Sequence, residues 1–151
     1  KYPPAMADLG HALRARLRAR LPGLVEIVYV YESQDALVIS YSPTGHGYNG
    51  LCSMALYPNQ VKLYFAQGAA LSKSDPDKLL QGRGKTVRHV VLNAVADFDR
   101  AEIEGLMVAA LQLANVHLDA SARSAVVNRA EAQQQQRARR ATKAAQPAEN
   151  P

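Results

Sequence analysis

The chain has 151 residues, 48% of them hydrophobic and 21% charged, with a net charge of +5 at neutral pH. That length fits one ordinary domain with a tail, and that balance allows a buried core, which excludes a wholly disordered chain. No apolar run approaches the roughly 20 residues that a membrane-spanning helix needs, and the single cysteine, Cys52, excludes an internal disulfide.

The charge is unevenly placed. Residues 1–120 carry 12 Lys/Arg against 11 Asp/Glu, whereas residues 121–151 carry six against two. A nearly neutral domain lacks the broad basic face that drives phosphate-backbone binding, so nucleic acid is not expected on the domain and stays open only for the tail. Lys1-Tyr2-Pro3-Pro4 leads into a charged helix without the apolar core of an export signal, which points to a reducing cytoplasm and no membrane.

Residues 5–21 read as a helix, because Leu9, Leu13, Leu17 and Leu21 recur every four positions as one apolar stripe. Pro3-Pro4 precede it and Pro22-Gly23 end it. Arg14, Arg16, Arg18 and Arg20 fall off the stripe, as a solvated face or a surface for an anionic partner. Residues 24–31 and 36–42 are strand-like, with residues 32–35 (ESQD) as the turn between them. Residues 43–50 form a loop. Residues 51–57 and 61–66 flank Pro58-Asn59 and read as a hairpin. Residues 69–80 are an irregular connection with one helical turn, and residues 87–92 (VRHVVL) are a fifth strand.

A helix then runs from Asp99 to about Leu113. Asp99 with Glu102 resembles a capping box. Ile103, Leu106, Met107, Ala110 and Leu113 mark its inner face, and Asn115 its stop. From residue 119 to Pro151 the chain is an Ala/Gln/Arg-rich tail, expected to be partly helical and then disordered. The order predicts an α+β fold over residues 1–118: an antiparallel five-stranded sheet packed by N- and C-terminal helices.

One loop gathers polar chemistry. Gly84-Lys85-Thr86 matches the end of G-x-x-x-x-G-K-[ST], but position 79, where the first glycine belongs, is Leu79. A P-loop also opens a helix whose N-terminus holds the phosphates, and here a strand follows. What remains is a Gly82-x-Gly84 turn, where glycine permits the backbone to bend sharply. Alternation along the strand puts Arg88 and His89 on opposite faces, against a tight Arg–His pair.

Tyr64 to Leu92, YFAQGAALSKSDPDKLLQGRGKTVRHVVL, resembles the YdhG-like domain family, a bacterial family of unknown function. Leu79, Leu80, Gly82, Gly84, Lys85, Arg88 and His89 match its L-L-x-G-x-G-K-x-x-R-H pattern, and the likeness extends over roughly residues 5–115. It implies a small α+β domain with a curved antiparallel sheet flanked by helices, and no established reaction. Some members are described as iron-chaperone-like or frataxin-like. Asp97, Asp99, Glu102 and Glu104 are the one dense acidic group here, at a helix start where the dipole favours acids anyway.

No histidine or cysteine spacing suits zinc, and no G-x-S-x-G elbow is present. A Cys52–His89 nucleophile pair has no support in spacing. Seven tyrosines stand against two phenylalanines and no tryptophan. Tyr29, Tyr31, Tyr41, Tyr57 and Tyr64 lie on strands, which predicts either sheet packing or a Tyr-lined pocket between sheet and helices. Together these features predict a non-enzymatic module for a small, anionic ligand. Its binding residues would be Lys85, Arg88, His89, Gly82, Gly84 and Tyr64, with no cofactor, no metal and no catalytic residue. The alternatives are an iron-chaperone-like protein and an interaction protein that binds acidic partners through its basic tail.

Overall fold

The structure, a computed structural model, describes residues 2–146. Helix α1 (Pro4–Arg20) enters at a proline and ends before Pro22-Gly23, where Gly23 takes a φ of +82°. Its leucine stripe is buried as the periodicity predicts: Leu13 and Leu17 are fully buried and Leu9 packs against the same core. Strands β1 (Val25–Tyr31), β2 (Ala36–Ser42), β3 (Cys52–Leu56), β4 (Val61–Phe65) and β5 (Arg88–Leu92) then form antiparallel neighbours. Two short helices, α2 (Val95–Phe98) and α3 (Ala101–Leu113), return beneath the sheet.

The sheet has six strands, not five, and it is mixed. Residues Val126–Asn128 form β6, parallel to β1, giving the order β5-β4-β3-β2-β1-β6. Two valines and an asparagine are too short a pattern to announce a strand. It forms because the edge of β1 offers backbone groups that need partners. Glu26 N–H donates to the Ala125 carbonyl and Arg129 N–H to the Val28 carbonyl. Helix α4 (Ala130–Ala145) follows, and the Gln133 side-chain carbonyl accepts from Val30 N–H at 2.9 Å. Arg137 reaches Glu32 at 2.6 Å. The expected helix in the tail therefore begins on the sheet edge. The disorder expected to follow it through Pro151 cannot be followed past residue 146, since residues 147–151 lie outside the described residues.

Pleating divides the sheet into two faces. Leu37, Ile39, Tyr41, Cys52, Met54, Leu56, Val61, Leu63, Phe65, Val90 and Leu92 point to the helices and make the core with Leu106 and Met107. In α3 the buried set is Ile103, Leu106, Met107, Ala110 and Leu111. Leu113, expected inside, is 52% exposed, because the buried stripe follows i, i+3, i+4, i+7, i+8 and Leu113 falls off it. The cap differs too: the residue before α3 is Arg100, with no side-chain cap, and Asp99 instead meets Arg16 at 3.2 Å. Asn115 ends the helix in the left-handed region, φ 53°, as its identity predicts.

The arginines of α1 are partly solvated and each is paired with a carboxylate, so they are not a free anion surface. Arg14 and Arg18 converge on Glu26, which is fully buried on the helix side of β1, with N–O distances of 2.9 and 3.3 Å. Tyr41 donates to the same carboxylate at 3.0 Å. Arg16 pairs with Asp99 and Arg20 with Glu104. Solvent-exposed pairs such as these add at most about 1 kcal/mol each, but they fix the orientation of α1 against α2 and α3.

Cys52 lies in this core, 1% exposed, with its thiol pushed up to about 12 by burial. Its side faces the helices and that of His89 faces away, so the two cannot pair. Because the thiolate is the reactive form, native protein at pH 8 is expected to resist iodoacetamide and to take up one label on unfolding in urea. Mass spectrometry reads this, and native labelling at the rate of a free thiol would contradict the burial.

Candidate functional site

The loop that carries the G-x-G motif is built as a clasp. Asp75 accepts from Leu79 N–H at 2.8 Å and Leu80 N–H at 2.9 Å, and both leucines pack against the core. Gln81 and His89 exchange two backbone hydrogen bonds, 2.7 and 2.9 Å, closing residues 81–89 into a narrow loop. Gly82 sits at φ +124°, which a side chain would strain. Among the described residues Arg88 reaches neither a carboxylate nor a helix terminus. Its guanidinium donates to the carbonyls of Gly84 and Val87, within its own loop. Lys85 is exposed and has no hydrogen bond or ion pair among the described residues.

Of the six residues expected to bind ligand, the structure brings Tyr64 and His89 together. They are cross-strand partners on β4 and β5, with ring centroids 5.1 Å apart. Arg88 occupies the opposite face of β5, while Gly82, Gly84 and Lys85 remain in the exposed loop. Among the described residues the core fills the space between sheet and helices, and Tyr41 alone of the strand tyrosines enters it, so the expected Tyr-lined pocket is not found there.

The tyrosines gather on the other face, where no α-helix among the described residues lines the surface. Val38 and Ser40 on β2 and Ser53 and Ala55 on β3 form a floor of small side chains. Tyr29 and Tyr31 on β1 make one wall, their rings 6.2 Å apart. Tyr57 and Tyr64 make the other, with hydroxyls 3.1 Å apart. The 47–50 loop closes one end, where Tyr48 stacks on His46 at 5.2 Å. Two contiguous hollows of about 400 and 500 Å³ share Tyr31, Val38, Ser40, Gly47 and Ser53. The loop approaches so closely that a side chain at Gly47 would strike the Tyr29 hydroxyl, and one at Gly50 would lie 2.8 Å from Ser40 Oγ.

The electrostatics of this trough are mild. Tyr64 is pushed up to about 12, by burial and by its bond to Tyr57, so it stays a neutral hydroxyl. Burial, with Lys62 second, holds His89 below its ordinary value and favours the uncharged imidazole. Lys62 Nζ sits 5.4 Å from the Tyr57 ring centroid, a cation–π contact. Among the described residues no carboxylate lines the trough. Such a surface offers ring faces and hydroxyls, with the imidazole of His89 packed against Tyr64.

The carboxylates of the acidic group are each engaged elsewhere. Asp97 accepts from Asn93 and Ala94 N–H, and Asp99, Glu102 and Glu104 pair with Arg16, Arg100 and Arg20. Among the described residues no three His, Cys, Asp or Glu side chains stand together as a metal site would need, and no helix is long and apolar enough to cross a membrane. No family model matches the chain, and no curated protein or solved structure matches it significantly.

Sequence reasoning missed Val38, Ser40, Ser53 and Ala55. Their signal was present as alternation: in ALVISYS the large residues Leu37, Ile39 and Tyr41 face inward, which leaves Val38 and Ser40 outward.

Proposed function

We propose that this chain is a non-enzymatic ligand-binding module whose ligand lies in the tyrosine trough on the open face of the sheet. The observation that carries the reading is the arrangement itself: a floor of small side chains between two aromatic walls, with polar groups at a few points and no α-helix among the described residues in its lining. Concave, mostly apolar surfaces with a few fixed polar groups are where small molecules bind. The likeness of Leu79–His89 to the YdhG-like domains belongs to this reading, supported by a loop in which Leu79, Leu80, Gly82 and Arg88 each hold a structural post.

A thermal-shift screen of the full chain against nucleosides, aromatic acids, sugars, phosphates and carboxylates tests it. A specific ligand at a hundredfold excess over Kd raises the unfolding free energy by about 2.7 kcal/mol. The shift is expected to vanish in Ser53→Phe, which fills the floor without touching the core. A shift that survives Ser53→Phe but is lost in Lys85→Ala moves the site to the 82–87 loop. No shift with any of these ligands removes the reading.

A further inference from the structure

We propose that the open face of the sheet, together with the cationic arc of α4, binds single-stranded nucleic acid. Bases would stack on the tyrosines, and phosphates would lie along Arg139, Arg140 and Lys143. The proposal rests on the reading of the trough as a ligand site and names the ligand class.

Tyr29, Tyr31, Tyr48, Tyr57 and Tyr64 line the trough, with His46 packed on Tyr48 and His89 on Tyr64. Tyr48 is 85% exposed and Tyr31 40%, so ring faces are open to solvent. Every base has a π-face, and single strands leave those faces free, whereas a duplex holds them inside its own stack. Between the walls, Ser40, Ser53 and the Tyr57–Tyr64 hydroxyl pair supply donors and acceptors for base edges. A lining without carboxylates does not repel a phosphate chain.

Helix α4 adds the charge. Gln133 and Arg137 point at β1, one to Val30 N–H and the other to Glu32. With 3.6 residues per turn, Arg139, Arg140 and Lys143 share the adjoining arc. At 1.5 Å rise per residue they lie roughly 9–15 Å further along the helix than Gln133, which is held at the β1 edge. All three are exposed and have no carboxylate partner among the described residues. Arg137 meanwhile neutralises Glu32, the acid at the rim of the β1 wall. An aromatic floor with cations along one border is how single strands are held without sequence readout. The nearly neutral count over residues 1–120 concealed it, because the aromatic half lies in the domain and the cationic half in the tail.

The test is fluorescence anisotropy of labelled uridine and thymidine decamers with the full chain across a salt series. Three phosphate contacts on a single strand give a slope of log K against log salt of about −2. Arg139→Gln/Arg140→Gln/Lys143→Gln is expected to flatten that slope. Tyr48→Ala, at a largely exposed side chain, and Tyr31→Ala, with its fold checked by circular dichroism, are each expected to weaken binding about tenfold or more. Binding of either decamer with both effects supports the proposal. Failure of both decamers to bind at 50 mM salt overturns it. Binding indifferent to the tyrosine changes also overturns it, as contact by the tail alone. If decamers fail while small ligands shift the tyrosine ring resonances in NMR spectra, this proposal falls and the trough reading stands. If neither occurs, both fall.

Discussion

Replacing Glu26 by Ala is expected to destabilise the protein by about 3 kcal/mol, measured as a lower midpoint in urea at unchanged m-value. Glu26 is fully buried and takes bonds from Arg14, Arg18 and Tyr41. Removing one member of a buried charged cluster typically costs about 3–5 kcal/mol, because the partners keep their desolvation and lose their compensation. Here the cost is moderated, since the side chains of Arg14 and Arg18 are 33% and 43% exposed and can recover water. Tyr41 cannot. It is 1% exposed, and its proton is held so firmly by burial and by the neighbouring carboxylate that its ionisation lies far above the ordinary range. A stranded buried hydroxyl costs about 1–3 kcal/mol. The double variant Glu26→Ala/Tyr41→Phe removes that hydroxyl and is therefore expected to recover part of the loss. No recovery would place the cost in the arginines and not in the tyrosine.

This cluster marks the limit of what the sequence made legible. The five antiparallel strands, α1 and the residues ending α3 follow from alternation, four-residue spacing and turn chemistry, and they appear within a residue or two of their expected bounds. These are local signals. Pairing Arg14 with Glu26, or Arg20 with Glu104, needs knowledge of which face of α1 meets which strand, and a basic residue off the apolar stripe looks the same whether it meets water or a buried acid. Strand β6 was hidden for a related reason: its partner lies about a hundred residues earlier, and three residues carry no periodicity. The site was half legible. His89 was named from the motif and Tyr64 from the row of strand tyrosines, but the floor between the walls comes from strands that have no motif at all. The motif itself turned out to describe a clasp, whose conspicuous arginine serves its own loop.

Two alanine substitutions at glycine separate close approach from conformational freedom. Gly68 is not at positive φ, yet it cannot carry a side chain. A Cβ there would lie 2.5 Å from Arg88 Cβ and 2.8 Å from Arg88 N. The obstruction is the backbone of β5, which is locked to β4, so it cannot yield as the tip of a flexible side chain would. Gly68 opens the 3-10 turn Gly68–Ser74, and the next residue, Ala69, donates to Thr86 at 2.8 Å, tying the turn to the clasp. Gly68→Ala is expected to cost about 3 kcal/mol, near the upper end of the overpacking range. For a chain of this size each kcal/mol lowers Tm by roughly 2–4 °C. Gly105 is the opposite case: it is exposed in the middle of α3, with nothing within 4 Å of its would-be Cβ. There Gly105→Ala is expected to stabilise by roughly 0.5–1 kcal/mol, because alanine loses less backbone entropy in a helix. Calorimetry on the two variants reads opposite signs from one chemical change. If Gly68→Ala were as stable as the parent, the turn would not sit on β5, and the clasp that shapes the His89 end of the trough would be held in some other way.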